Sequence, residues 1–313
     1  MAGGALIGPG PILGLLSGLT WGAGDFCGGL ISRYSSVFTA IITSQGVGLV
    51  GTLALLILSG EQPPEASSFA FAATAGALGV IGLGCFYYAL SRGSMGVVAP
   101  LAALIGAGLP VLLAIYGGEH VSVTRLGGIA IALAAVVLIS LPGGETTGGE
   151  QRRRRIDLGD LPLVVLSGLG FAGFFIFIDR ATANDAIWWP MLMVRTVGTT
   201  FVALAFVAAL ATTAQPGLGA RTVHLLGLRR LRGRALKGPQ LFAVFAAAGL
   251  GDLGGNAFFV LSKHADAFAV AVVLSSLYPV VTTILAALLL RERLRPLQLV
   301  GVALATLSVP LLR

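Results

Sequence analysis

Ten apolar segments, each long enough to cross a lipid bilayer, constrain this chain more than any other feature of its sequence. A helix needs about 20 predominantly apolar residues to span the hydrocarbon core, and backbone in lipid must satisfy its own hydrogen bonds. Only 11% of the residues are charged, against about 25% in a soluble domain. The sequence therefore predicts an all-α integral membrane protein with ten transmembrane helices. The predicted spans are 11–31, 37–59, 68–91, 95–116, 122–141, 160–180, 187–210, 240–262, 267–290 and 295–312.

The two halves of the sequence resemble each other. The letters LSGL at 16–19 recur at 166–169, and at the same offset of 150 residues Gln45 falls on Arg195. Each half contains five predicted spans, and an odd number of spans forces the second copy to be inverted in the membrane. Two inverted five-helix repeats are the architecture of many secondary transporters, whose binding site lies at the repeat interface near the midplane.

This repetition predicts three parts of the chain. The first repeat covers residues 1–141, a basic linker covers 142–159, and the second repeat covers 160–313 with a basic loop at 211–239.

The positive charges indicate an orientation in the membrane. Fifteen of the 20 lysines and arginines lie in the odd-numbered loops, and four lie in the even-numbered loops and at the C-terminus. By the positive-inside rule, the odd-numbered loops are cytoplasmic and both termini lie outside. The net charge of +7 is therefore interpreted as a topology signal at the membrane surface, and no nucleic acid is expected as a partner.

Three motifs resemble a known family: WGAGDF at 21–26, RGSMGVVAPLAAL at 92–104, and LSSLYPVVTTILAALLLRERLRPLQLVGVAL at 274–304. They are similar to the drug/metabolite transporter superfamily, specifically its EamA-like ten-helix branch. The resemblance implies transport of a small solute, often efflux of amino acids, metabolites or toxic compounds. It also implies a central cavity lined by helices 1, 3, 4, 6, 8 and 9, with helices 5 and 10 peripheral. It implies cytoplasmic termini, opposite to the charge distribution, so both orientations stay open.

Asp252 is the candidate site residue with the most unusual position, because it lies near the centre of the eighth predicted span. An ionisable residue inside a membrane span normally faces a cavity or a partner. Asn256 and Phe259 follow on the same helical face, one and two turns later. The alternative is a structural ion pair or hydrogen bond that fixes helix packing.

Arg195 and Asp25 are the other charged candidates. Arg195 lies about eight residues into the seventh span, where it can pair with Asp252 or Asp25. Two roles stay open for Arg195, a structural pair and a clamp for a substrate carboxylate, while its repeat counterpart Gln45 adds a neutral polar group. Asp25 lies one turn after Trp21, and in a cavity it is a candidate proton carrier.

Aromatic residues are candidates for an apolar pocket beside the charged groups. They include Tyr88 and Tyr278 together with Phe259 and Trp21. Packing or lipid-facing roles are the alternative, since aromatic residues are common at membrane interfaces.

Gate and hinge candidates lie at the ends of the fourth and ninth spans. Glu119 and Glu292 follow these spans, and each is either a helix-terminal charge or part of a gate salt bridge with an arginine such as Arg293. Pro279 is expected to kink the ninth span. The side chains expected to satisfy the freed carbonyl groups are Ser275 and Ser276.

Enzyme motifs do not occur in the sequence. It has no nucleotide-binding glycine loop and no histidine-based metal pattern, so no enzymatic activity, cofactor or metal ion is expected. The predicted function is secondary transport of a small organic solute across the cell membrane, as an exporter driven by an ion gradient through alternating access. The expected partners are that solute, membrane lipids and protons, with a homodimer left open. A non-transporting protein, such as a lipid scramblase or a structural subunit, is the alternative.

Overall fold

The computed structural model describes residues 8–34, 36–91, 95–141, 161–212, 222, 238–291 and 294–313 of the chain. The side chain of Tyr88 is not described, and Glu292 and Arg293 lie outside this part, as do the linker 142–159 and most of the loop 211–239. Within it the chain forms eleven long or medium helices and a final 3₁₀ turn, Val309–Leu311. The helices are α1 Pro9–Tyr34, α2 Val37–Ser59, α3 Ala66–Ser91, α4 Met95–Tyr116, α5 Val123–Ser140, α6 Leu161–Ala181, α7 Trp188–Thr212, α8 Gly238–Ala265, α9 Phe268–Ser275, α10 Tyr278–Leu289 and α11 Pro296–Ser308.

The helices account for all ten predicted spans. Among the described residues, seven helical segments are long and apolar enough to cross a membrane, and two shorter apolar segments, Leu101–Tyr116 and Pro296–Leu311, lie in α4 and at the C-terminal end. The remaining span, the first, corresponds to α1. The all-α expectation is therefore confirmed for the described residues. The inversion of the second half stays a prediction.

The ninth span is interrupted, whereas its counterpart in the first half is not. It consists of α9 and α10, which separate at Ser276 and Leu277, and Pro279 lies in the first turn of α10. The hydroxyl of Ser276 donates to the carbonyl oxygen of Val273 at 2.7 Å. The expectation for Ser275 was wrong, because its buried hydroxyl finds no partner among the described residues. The break lies in the turn before Pro279, which is where a proline interrupts a helix, because it cannot donate to the carbonyl four residues earlier.

Helix α9 lies at the centre of the bundle. Its residues from Ala269 to Ser275 are completely buried, and it packs against α1, α4, α5 and α8. The pair α5 and α11 packs together. These are the two helices, fifth and tenth in span order, that the family resemblance places at the periphery.

Glycines let two helix pairs approach until their backbones touch. A Cβ atom on Gly251 of α8 would lie 2.6 Å from the carbonyl oxygen of Thr20 and 2.7 Å from the Cα of Gly24 in α1. A Cβ atom on Gly170 of α6 would lie 2.6 Å from the Cα of Gly82 in α3. Such contacts bring transmembrane helices close enough for dispersion forces to hold them.

The helix pairs correspond between the halves of the chain. Helix α1 packs against α8, and its counterpart α6 packs against α3. Likewise, α2 packs against α8, and its counterpart α7 packs against α3. Helices α2 and α7, which are counterparts themselves, pack against each other. The polar groups described below lie where these pairs meet.

Replacing Gly170 or Gly251 by alanine should destabilise the protein by about 1–3 kcal/mol, because the added methyl group meets backbone that cannot rotate away. Thermal unfolding of the purified protein in detergent measures the effect. Gly84→Ala is the matched control in α3, since no atom of the described residues lies within 4 Å of its Cβ position. Equal unfolding temperatures for all three variants would contradict the close approach of these helices.

Candidate functional site

Arg195 forms a buried ion pair with Asp252. It is the eighth residue of α7, and only 5% of its side chain is exposed. Its Nη1 donates to a carboxylate oxygen of Asp252 and, at 2.8 Å, to the Oε1 of Gln45 in α2. Of the two aspartates that the sequence offers as partners, Asp252 is therefore the one that pairs. The Nη2 of Arg195 is buried and has no acceptor in the part of the chain that the structure describes.

Asp252 is held by further polar groups besides Arg195. The hydroxyl of Ser44 in α2 donates to its Oδ2 at 3.1 Å, and the amide of Asn256 donates to its Oδ1 at 3.1 Å. The Asn256 amide also reaches the backbone oxygen of Asp252 at 2.6 Å. Asp252 and Asn256 share a helix face, as expected. The side chain of Asp252 keeps 30% of its surface exposed, so the pair is buried on the arginine side and accessible on the carboxylate side.

Two glycines make room for the polar residues of α2 and α7. A Cβ atom on Gly48 of α2 would lie 3.2 Å from the guanidinium of Arg195. Reciprocally, the side-chain amide of Gln45 fills the space beside Gly198 of α7. Each helix thus presents a glycine to the polar side chain of its counterpart. The contact of Gly48 with Arg195 in one direction corresponds to the contact of Gly198 with Gln45 in the other.

Asp25 lies in α1 close to this cluster, but it does not pair with Arg195. Its neighbour Gly24 packs against the backbone nitrogen of Asp252, which would be 3.1 Å from a Cβ atom at that glycine. The Asp25 side chain is exposed, and among the described residues it makes no hydrogen bond or ion pair. The two carboxylates are near enough for electrostatic repulsion. With both ionised, they and Arg195 carry a net charge of −1.

An aromatic layer adjoins the polar cluster. Trp21 stacks on Phe259 with ring centroids 6.2 Å apart, and it meets Phe175 and Tyr278 edge-on at 5.9 and 6.5 Å. The rings of Phe175 and Phe259 are 4.9 Å apart. The structure therefore brings together three predicted residues, Trp21, Phe259 and Tyr278. Phe175 completes the layer, and its only signal in the sequence is its offset of 150 residues from Asp25.

Ion pairs lie beyond the aromatic layer, at the end of the bundle where α1 begins and α11 ends. We call this end the terminal face. Lys263 of α8 pairs with Asp179 of α6 at 3.0 Å, and Arg125 of α5 makes a two-bond contact with Asp266, at 2.9 and 3.1 Å. The polar cluster, the aromatic layer and the ion pairs thus follow one another along α8 toward the terminal face.

Two loop carboxylates cap helices of the other half at the terminal face. Glu119 accepts a hydrogen bond from the backbone N–H of Ala269 at 3.0 Å, in the first turn of α9. Glu61 accepts from the backbone N–H groups of Ile187, Trp188 and Trp189, at the start of α7. Sequence reasoning missed Glu61, because nothing in the sequence relates it to a helix that begins more than 120 residues later.

The two carboxylates bind the halves together where helix N-termini attract negative charge. Burial raises the pKa of the Glu119 carboxyl above its ordinary value of 4.5, and the backbone N–H groups of Ala269 and Phe268 oppose this shift. Glu119 therefore joins the halves by a cap, while its predicted salt-bridge partner Arg293 lies outside the described residues.

The helices that hold the charged cluster differ from those that the family resemblance implies. Arg195, Gln45 and Ser44 lie in α7 and α2, which are not among the cavity-lining helices 1, 3, 4, 6, 8 and 9. Only α1 and α8 belong to both sets. Ser44 was also missed by sequence reasoning, although it is a polar residue next to Gln45 within an apolar segment.

Comparison with known proteins places this architecture in a family. The profile of the EamA-like transporter family matches residues 8–141 and 161–313. An uncharacterized protein of Methanocaldococcus jannaschii is 28% identical over 135 residues, which cover 42% of this chain and 95% of that protein. A solved crystal structure superimposes with a TM-score of 0.69 at 15% identity, covering 96% of this chain and 95% of the other, and so has the same fold. The apolar helices and the family together indicate a multi-pass membrane protein.

Removing Arg195 alone should be costly, because it leaves the Asp252 carboxylate without its cation in a largely buried place. We expect Arg195→Gln to lower the free energy of unfolding by about 3 kcal/mol. The double variant Arg195→Gln/Asp252→Asn should recover most of this loss, since a neutral amide pair carries no buried charge. Urea or thermal unfolding of the four proteins of this cycle measures the coupling, and simple additivity would contradict a direct ion pair.

Glu119 should make stability depend on pH. Because burial raises the pKa of its carboxyl in the folded protein, its ionisation costs stability as the pH rises from about 4.5 through the folded-state pKa. Glu119→Gln keeps an oxygen for the Ala269 N–H, so it should unfold at a higher temperature than the native chain at pH 8 and at the same temperature near pH 4. Glu119→Ala loses the acceptor and should be less stable than Glu119→Gln at both pH values. A constant difference between Glu119→Gln and the native chain across this range would contradict the assignment.

Proposed function

Because the chain belongs to the EamA-like transporter family, we propose that it is a secondary transporter that moves a small organic solute across the cell membrane. The observation that carries this proposal is the ion pair of Arg195 and Asp252, placed near the middle of α8 where both halves of the chain meet. A charged pair in the interior of a membrane protein typically belongs to a path for a solute or an ion. Its partial exposure on the Asp252 side supports such a path.

The proposed mechanism is alternating access around this pair. The reciprocal contacts between α2 and α7 and the matching helix pairs support two inverted repeats that rock against each other. In this conformation the aromatic layer and the ion pairs lie between the charged cluster and the terminal face. Opening toward that face requires Lys263 and Asp179 to separate and the ring of Trp21 to move away from Phe259.

The interruption between α9 and α10 is the proposed hinge. The N–H of Ser276 still donates to the carbonyl oxygen of Val272 at 2.9 Å, but the N–H of Leu277 reaches only that of Leu274 at 3.3 Å, so bending here costs fewer regular helical hydrogen bonds than bending inside a continuous helix. The continuous counterpart α4 has no such break, which supports unequal movement of the two halves. Pro279 prevents the two helices from joining into one, because it lacks the N–H that a continuous helix needs.

Export driven by an ion gradient is the proposed direction and energy source, supported by the resemblance to exporters and by a sequence without a nucleotide-binding motif. Asp25 and Asp252 are the candidate carriers of a proton, since they are the two carboxylates of the cluster. A transport cycle that protonates one of them changes the charge around Arg195, and a charge change of this kind can couple solute release to the gradient.

Replacing Asp252 with Asn should abolish gradient-driven transport while the protein still inserts in the membrane. The amide keeps the size and two hydrogen-bonding atoms of the carboxylate but cannot carry a proton. The measurement is a metabolite profile of the culture medium from cells that make the native chain or Asp252→Asn at matched membrane levels. We expect a few solutes to accumulate outside only with the native chain.

Two controls complete this experiment. Glu65→Gln changes a carboxylate in the loop before α3, away from the cluster, and should export like the native chain. Identical media from cells with and without the native chain would contradict export. Lipid redistribution in vesicles that contain the protein, with no solute flux, would favour the scramblase alternative.

A further inference from the structure

We propose that Arg195 anchors a carboxylate group of the transported solute, and that Asp252 is the internal competitor which this carboxylate displaces. This inference rests on the proposed transport function and specifies the chemical class of its substrate. It begins from an imbalance in the bonds of Arg195. The guanidinium has five N–H donors, yet its two acceptors, Gln45 and Asp252, both bind Nη1.

The Nη2 of Arg195 is the unusual atom of the site. The side chain is only 5% exposed, and Nη2 is buried, yet this nitrogen has no acceptor among the residues that the structure describes. Buried polar groups are nearly always hydrogen-bonded, and a charged donor is especially costly to leave unsatisfied. A structural ion pair needs no such spare donor. An acceptor supplied by a ligand accounts for it.

The surroundings of Arg195 fit a carboxylate with an apolar body. A narrow crevice beside it is too tight in this conformation to admit a water-sized molecule, so a solute binds here only after the helices move apart; the crevice is lined by Ile178, Met191, Val194, Arg195 and Asn256. Three of these residues are apolar, one is a cation and one is an amide. Arginine binds carboxylates through two parallel hydrogen bonds, which use both terminal nitrogens. The spare Nη2 together with Nη1 can form this fork once Asp252 withdraws.

Asp252 can withdraw without losing all of its bonds. Ser44 and Asn256 hold its two oxygens independently of Arg195. The displaced carboxylate would therefore remain bound to both neighbours while the solute occupies the guanidinium. No covalent step is needed, since one carboxylate replaces another on the same cation.

The charge of the cluster adds a second requirement. With Asp25 and Asp252 ionised, the net charge near Arg195 is −1, and a simple carboxylate makes it more negative. A solute that also carries an ammonium group leaves the net charge unchanged, because the ammonium can face the exposed carboxylate of Asp25. Three probes with one carbon skeleton separate these contributions: L-leucine, which has both groups, 4-methylpentanoate, which has the carboxylate alone, and L-leucinamide, which has the ammonium alone.

The test measures equilibrium binding of these radiolabelled probes to the purified full-length protein. We expect L-leucine and 4-methylpentanoate to bind and L-leucinamide to bind at least tenfold more weakly. Asp252→Asn should bind 4-methylpentanoate at least tenfold more tightly than the native chain, since the competing carboxylate is gone and Arg195 is left unpaired. A purely structural pair predicts no gain in affinity in this variant.

The double variant Arg195→Gln/Asp252→Asn leaves the net charge of the cluster at −1 and should bind none of the carboxylates. The proposal is overturned if L-leucinamide binds as tightly as L-leucine, if no carboxylate binds, or if Asp252→Asn leaves the affinity for 4-methylpentanoate unchanged. Measuring exchange of the same probes across proteoliposome membranes distinguishes a failure of the proposed carboxylate site from a failure of the proposed transport function. Carboxylate binding without any exchange would contradict transport but leave the site intact, whereas export of solutes without a carboxylate would overturn the site and leave transport intact.

Discussion

The ion pair between Arg195 and Asp252 is the interaction on which the rest of the structure depends. A lone arginine or aspartate inside the membrane is costly, whereas the two together, with Gln45, Ser44 and Asn256 around them, satisfy most of their bonds. The pair also draws α2, α7 and α8 together at one place. The pair is asymmetric, since the arginine side is buried with a donor that finds no acceptor among the described residues while the carboxylate side is accessible, and this asymmetry supports the proposed role in transport.

Glycine packing and aromatic packing place this pair within a layered bundle. The backbone contacts of Gly24 with Gly251 bring α1 against α8, so that Asp25 and Trp21 lie beside the polar residues of α8. One turn closer to the terminal face, the rings around Trp21 separate the polar cluster from the ion pairs of Lys263 and Arg125. Each layer draws residues from both halves, and movement of one half against the other therefore disturbs all three layers together.

The sequence predicted the helices well because apolar length and backbone hydrogen bonding in lipid leave few alternatives to a helix. It also identified Arg195 and Asp252, because charges in apolar spans are rare and need partners. It could not identify Glu61 or Phe175, whose roles arise from contacts between distant helices and carry no local pattern. The break in the ninth span, by contrast, does follow from the sequence, since it lies at Ser276 and Leu277, in the turn that Pro279 disrupts.

The proposed transport function requires that the buried pair does more than hold helices together. The double variant Arg195→Gln/Asp252→Asn tests this claim directly, because it removes both charges and leaves the hydrogen-bonding shape of the site. Solute flux through proteoliposomes containing this variant should be compared with flux through the native chain at equal amounts of folded protein. We predict a folded protein without flux. Flux equal to that of the native chain would contradict the account and reduce the pair to a packing interaction.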